Sequence, residues 1–453
     1  MERLLRGPIL PTLTRLSGPN IAVAIATTLT TIADAWYVGH IGVTALASLA
    51  LVFPVQSLMQ MMSAGAMGGG VSSAVARALG AGRRDRANEI VLHAVIIALG
   101  MSALFVLALS VMARDAFGML GGNARVLDGA VAYAEIAFGG AIAMWLANTF
   151  ASILRGTGNM SIPAIALVSG SAIQIILSGA LTLGWGPFPE LGIRGPAIAL
   201  TAAFGLAACI MGFYVVSSHS GLRLHLSGVT LKREIFMDIL KVGAVACGNA
   251  LLTIATILIV TRLVAQQGAG ALAGFGLGSR LELMLIPMAF GIGGALTASV
   301  GANFGAKQFS RARRIAWIGG LSVGGFTGLI GITAAIWPDL WLGNFTADAA
   351  ANAVGRNYLA IVGPFYGFFG MGMALYFASQ GTGNMKWPFT AGTLRLIIAA
   401  GGAAIAAKIY VDEPSILFAC LSAGLFCFGG LIAWSLFSRV WNPDRPIPSP
   451  APS

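Results

Sequence analysis

Charge is what this sequence has least of. Of its 453 residues, 27 are Lys or Arg and 16 are Asp or Glu, together about 9%, where soluble domains carry about 25%. So few charges cannot keep a soluble surface wet, which excludes a cytosolic enzyme and a secreted module. Cysteine is scarce too. Cys209, Cys247, Cys420 and Cys427 sit in apolar runs without metal-ligand spacing, so neither a disulfide framework nor a zinc site is implied. The four histidines, His40, His93, His219 and His225, are not spaced as ligands and read as interface residues. There is no nucleophile elbow, phosphate loop or metal-binding helix motif. Gly68-Gly69-Gly70 follows no strand and reads as helix packing. An intramembrane enzyme and transport driven by ATP within this chain are therefore not expected, and neither is a cofactor or a bound metal.

What is abundant is apolar: 57% of the residues, with a mean hydropathy of +0.84. Runs of about 20 apolar residues are long enough to cross a bilayer as helices. Twelve are placed at 17–38, 44–68, 90–112, 130–153, 160–183, 195–217, 239–263, 270–300, 315–337, 356–379, 388–409 and 415–438. The runs are continuous and do not alternate in tens, so helices and not barrel strands are expected. Positive charge assigns the sides. Alternating loops put 19 Lys and Arg on one face and 6 on the other, leaving Arg280 and Arg395 at membrane depth. That bias places both termini in the cytoplasm of a bacterial-type inner membrane. It also explains the net charge of +11 as topology, without nucleic acid as a partner. The basic N-terminus, the run 21–32 and Ala33-Asp34-Ala35 imitate a secretory signal, but the internal repeat argues against that reading.

Gly156-Thr157-Gly158-Asn159-Met160 returns as Gly381-Thr382-Gly383-Asn384-Met385, an offset of 225, followed in each copy by Pro163 and Pro388. Gly80-Ala81 returns as Gly305-Ala306 and Arg86-Ala87 as Arg311-Ala312 at the same offset, and Ala45-Leu46-Ala47 as Ala271-Leu272-Ala273 at 226. Several matches in one register across such a span mark a duplication. The expected organisation is an N-lobe, 1–220, with helices 1–6; an inter-lobe loop, 221–238; a C-lobe, 239–440, with helices 7–12; and a Pro-rich tail, 441–453. Six helices per half is an even number, so the halves enter from the same side. They are parallel repeats around a central cavity, an arrangement suited to alternating access.

Asp34 lies between alanines, deep in the first helix. An ionisable group there is costly and marks a functional site; a carboxylate that can take up and lose a proton supplies the two-state element that a carrier needs. The opposing reading leaves Asp34 hydrated near the outer interface. Aromatic and methionine side chains such as Met59, Met61, Met62, Phe275, Met284, Met288, Phe365, Tyr366, Phe368 and Phe369 either line an adaptable cavity or face lipid.

Asp34-Ala35-Trp36-Tyr37-Val38-Gly39 followed by Ala45-Leu46-Ala47, Leu154-Arg155-Gly156-Thr157-Gly158-Asn159, Ser279-Arg280-Leu281-Glu282 and Gly301-Ala302-Asn303-Phe304-Gly305-Ala306 resemble the multidrug and toxic compound extrusion (MATE) family. Their order and duplication extend the resemblance over about residues 8–438. Arg280-x-Glu282 and the acid on the first helix are similar to its DinF-like branch. The resemblance implies a cation-coupled efflux carrier of two lobes. It also implies a coupling site around Asp34 that includes Tyr133 and Asn148 on the fourth helix and Gln174 and Ser178 on the fifth. The family's threonine near the start of the sixth helix falls on Leu200, with Thr201 adjacent. Two departures matter: the cation-site Glu of the family's other bacterial branch falls on Thr253, and an Asn and an Asp of the fifth helix fall on Gln174 and Ser178. Losing the second carboxylate weakens a sodium site and leaves a single acid sufficient for protons. Arg280 and Glu282 do not face each other on a helix; Arg395 is a candidate partner for Glu282, and the three serve either the substrate cavity or structural charge.

The expectation is a proton-driven antiporter, coupled through Asp34, that exports organic, lipophilic or cationic compounds. The alternative is a flippase for a lipid-linked or polysaccharide precursor. Membrane lipids and a small organic substrate are the expected partners of a monomer.

Overall fold

The computed structural model describes residues 1–119, 124–217, 222, 230–343, 345, 348–409 and 414–442. Part of the expected inter-lobe loop, residues 221 and 223–229 with Arg223 and His225, lies outside the described residues, as does His219 just before it. So does the tail from 443 onward, with Arg445.

The described chain is helical, with no strand among the described residues. A short helix, Glu2–Arg6, precedes twelve long elements. In the first half these are α1 (Ile9–Ile41), α2 (Val43–Gly80), α3 (Arg84–Met119), α4 (Ala124–Gly139 with Ala141–Gly156), α5 (Ser161–Leu183) and α6 (Arg194–Val216). The second half has α7 (Arg233–Ala265), α8 (Ala269–Gly305), α9 (Phe309–Ile336), α10 (Ala349–Thr382), α11 (Lys386–Ile409) and α12 (Pro414–Ser435). Eleven of them are individually long and apolar enough to cross a membrane, and the two arms of α4 make a twelfth. Helix α7 begins at Arg233, so the end of the expected inter-lobe loop, including Asp238, is helical.

Irregularities follow from residue chemistry. The arms of α4 meet at 46° at Gly139-Gly140, where paired glycines weaken the helix. A side chain on Gly140 would collide with Thr201 of α6. In α10 the ladder tightens to a 3₁₀ turn at Gly363–Phe365, because Pro364 has no N–H to donate. Helix α2 carries a π-helical turn at Met61–Met67, and α11 one at Ile397–Gly401. Such turns release carbonyls from the regular ladder, and Gly65 O in the first of them accepts from Gln380 Nε2 of α10 at 2.9 Å.

The duplication is visible in the packing. A Cβ on Gly156 would come within 2.8 Å of the Ser72 carbonyl and of Val75; one on Gly381 would come within 2.9 Å of the Thr297 carbonyl and of Val300. Each partner is displaced by the same 225 residues. Between the halves, Gly80 lies against the Ala302 carbonyl and Gly305 against the Arg77 carbonyl, a reciprocal contact that exchanges under that offset. Only glycine lets α2 and α8 approach so closely.

The face where this crossing occurs also holds both ends of the chain and is called the inner face. There Asn303 Nδ2 donates to Leu4 O at 3.0 Å, Arg311 bonds Gly7 O and Arg313 bonds Asn442. Asp238 of α7 accepts from Arg77 of α2 at 3.1 Å and Arg86 of α3 at 3.3 Å, and pairs with Lys241 at 2.7 Å. Ser73 donates to Gln380 O. His93 Nε2 accepts from the Lys232 amide at 2.9 Å while Nδ1 lies 2.7 Å from Glu89 O, which requires the neutral Nδ1-protonated ring.

Candidate functional site: a carboxylate on the first helix

Asp34 sits well inside α1 and is 8% exposed. Two side chains of α5 meet it: Ser178 Oγ donates to Oδ1 at 2.6 Å and Gln174 Nε2 to Oδ2 at 3.1 Å. Residues four apart share a helix face, so one stripe of α5 supplies both. Helix α5 reaches α1 closely because Gly179 adds no side chain beside Tyr37 and Trp185, whose rings stack edge to face at 5.6 Å.

Both partners are neutral and reversible. A serine hydroxyl can accept as well as donate, and a glutamine can turn its Oε1 toward an acid proton. The cluster can therefore hold Asp34 as a carboxylate or as a carboxylic acid without rebuilding its surroundings. Among the described residues no Lys, Arg or second carboxylate bonds Asp34, and no group of three or more His, Cys, Asp or Glu is placed to hold a metal ion.

The other residues expected around Asp34 direct their hydrogen bonds to other partners. Tyr133 OH donates to Gln56 Oε1 at 3.1 Å. Asn148 Nδ2 donates to Ser63 Oγ at 2.9 Å and Gln60 Oε1 at 3.4 Å. Thr201 returns its hydroxyl to Ala197 O of its own helix at 3.0 Å. The expected ring thus divides: α5 serves Asp34, whereas the donors of α4 are taken by a polar stripe on α2. That stripe, Gln56-Gln60-Ser63, went unread in the sequence, although its i, i+4, i+7 spacing in an apolar helix was the available signal.

In the second half, Arg395 of α11 lies 3.6 Å from Glu282 of α8, with side chains 10% and 14% exposed. Tyr358 OH of α10 donates to the other carboxylate oxygen at 2.8 Å, and the guanidinium lies over Phe369 and Phe428 at 5.1 and 5.6 Å. Arg280 is exposed and makes no part of this cluster. Of the expected cavity residues, Met59, Tyr366 and Phe369 are buried in the core, whereas Met284 and Met288 are exposed.

Comparison with known proteins places this architecture. The family profile described as MatE matches twice, over residues 19–179 and 244–405, again one repeat apart. The "FAD transporter" of Shewanella oneidensis is 28% identical over 312 residues, 69% of each chain. The "Probable multidrug resistance protein NorM" of Thermotoga maritima is 26% identical over 382 residues, 83% of this chain and 81% of that one. The solved structure of a MOP superfamily transporter from Pyrococcus furiosus, described as having a binding pocket of reverse polarity, superposes with a TM-score of 0.90 at 22% identity, covering 98% of both chains. The fold is thus that of transporters and not of an enzyme, and with the profile matched over more than half its length the chain belongs to the MatE family.

Proposed function

We propose that this transporter expels organic compounds in exchange for protons, with Asp34 as the coupling group and lipophilic cations as the cargo class to test first. The inner face is the cytoplasmic one, and the two halves rock about their crossing to expose the cavity to either side. The observation that carries this reading is the Asp34 cluster: one carboxylate at membrane depth, held by two neutral groups that tolerate either protonation state. Proton uptake from outside removes the charge, loosens the hold of Gln174 and Ser178 on α1 and favours cargo release. Proton loss to the cytoplasm restores the bonds and resets the carrier. The absence of a second carboxylate on Asp34 among the described residues favours protons over sodium.

Dye efflux from proteoliposomes under an imposed proton or sodium gradient tests this. Efflux driven by protons in the wild type and lost in Asp34→Asn is expected. Efflux driven by sodium alone overturns the proton reading, and no efflux under either gradient overturns export. The Shewanella relative named for flavin adenine dinucleotide favours a second cargo class, large anionic aromatics, and that compound belongs in the same assay.

A further inference from the structure

Arg155 closes α4 at the inner side, and its counterpart at the 225-residue offset is Gln380 at the end of α10. Each crosses to the other half over a glycine. Gln380 lies over Gly69 and donates from Nε2 to Gly65 O at 2.9 Å. Arg155 lies over Gly294, where an added Cβ would meet Arg155 Cδ at 3.6 Å and Asn20 Nδ2 at 3.2 Å. The resemblance ends at the head group. Among the described residues no carboxylate, carbonyl or hydroxyl accepts from the guanidinium of Arg155, and its Nε is fully buried without a partner.

Its surroundings on α1 are unmet as well. Asn20 is 5% exposed; its Oδ1 has no partner, and its Nδ2 makes only a 3.6 Å contact with Met160 Sδ. Ser17, one turn toward the inner face on the same side of α1, is 4% exposed with an unpartnered Oγ. A guanidinium whose Nε is withdrawn from water is costly unless it is paired. The fold itself does not demand it, because the equivalent position of the other half is a neutral amide. The Arg155 side chain and the Asn20 amide meet over Gly294 of α8, with the Ser17 hydroxyl one turn away on α1, and a guanidinium, an amide and a hydroxyl are the donor types that bind an oxyanion.

We propose that Arg155, Asn20 and Ser17 form a subsite for the anionic group, a carboxylate or a phosphate, of a transported organic compound. The proposal rests on the export reading and deepens it by naming a cargo feature. Helices α1 and α8 come from different halves, so parting the inner face opens the subsite to the cytoplasm. Asn20 and Asp34 are 14 positions apart on α1, about 21 Å along the axis. The cargo's negative charge is thus held well away from the carboxylate that takes the proton.

The test is equilibrium binding by fluorescence anisotropy to the purified full chain in neutral detergent, with anionic carboxyfluorescein and cationic ethidium as probes. Wild type is expected to bind carboxyfluorescein competitively with inorganic phosphate. Arg155→Gln is expected to weaken that binding tenfold or more and to leave ethidium within twofold. Asn20→Ala, which keeps the charge, is expected to weaken the anion several-fold and provides a second arm where Arg155→Gln fails to fold. Equal anion affinity in wild type and both variants, or equal loss of both dyes, overturns the subsite. Phosphatidylglycerol that displaces carboxyfluorescein at the wild-type site, where phosphatidylcholine does not, would reassign the anion to a lipid headgroup and overturn the cargo reading. Because binding needs no gradient, its result stands apart from any failure of proton-driven efflux.

Discussion

The two halves of this transporter place the same hydrogen bond at equivalent positions and give it opposite electrostatic meaning. Tyr133 on α4 donates to Gln56 on α2 at 3.1 Å, and Tyr358 on α10 donates to Glu282 on α8 at 2.8 Å. The tyrosines are 225 residues apart and their acceptors 226, the register that also carries Ala45-Leu46-Ala47 onto its copy. In the first half the acceptor is neutral, and a buried carboxylate, Asp34, stands on α1 with no cation bonded to it among the described residues. In the second half the acceptor is a carboxylate paired with Arg395. An acid with neutral partners can change its protonation at modest cost, whereas one held by a guanidinium is kept ionised. Duplication thus left one half with a buried acid among neutral partners and the other with a buried acid in an ion pair.

The sharpest way to break that comparison is to neutralise each acid in turn. Asp34→Asn is expected to reduce proton-driven efflux to that of empty liposomes with an unchanged melting temperature, since asparagine keeps a partner for both Ser178 and Gln174. Glu282→Ala is expected to do the reverse. It strands Arg395 between aromatic rings and should cost about 3 kcal/mol of stability, read as a lowered melting midpoint in detergent. The double variant with Arg395→Leu should recover much of that loss, and a double variant no better than the single one would refute the structural assignment.

A smaller effect is expected at the inner face. Asp238→Asn leaves Arg77, Arg86 and Lys241 facing one another without their shared anion. The shift toward an open inner face should be about 1–2 kcal/mol, roughly tenfold in population. It is measured as a longer distance between spin labels at Arg84 and Lys307, and an unchanged distance would remove Asp238 from the closure. The smallest expected effect compares the two tyrosines directly. Tyr358→Phe should cost about 2 kcal/mol and Tyr133→Phe about 1, because a bond to a charged acceptor is stronger than one to an amide. Equal losses would refute the contrast between the two acceptors.

Much of the architecture was legible because a bilayer constrains a chain severely. Without water, each backbone group must be satisfied within its own helix, so long apolar runs dictate spans, and the loops between them collect positive charge. The duplication was legible because the glycines that let α2, α4, α8 and α10 approach one another cannot be replaced without collision, and their spacing persists in both halves. Gln174 and Ser178 could be placed on one face because they are four apart on one helix, whereas their grouping with Asp34 was implied by the family resemblance. Tyr133, Asn148 and Thr201 could not be assigned the same way. Which neighbour receives a side chain depends on how helices are rotated against one another, and the polar stripe of α2 takes the hydrogen bonds of the first two.

The sequence by itself therefore determined the helical class, the number of the spans, the twofold repeat and the presence of an acid within the first helix. Each of these follows from composition, period or spacing along a single chain. Only the tertiary structure decided that Glu282 is paired with Arg395 while, among the described residues, Asp34 meets no cation and Arg155 no acceptor where Gln380 meets one. It also decided that Asp238 gathers three cations from both halves. Those are distances between helices far apart in sequence, and such distances are set by the packing of whole faces, not by any local pattern.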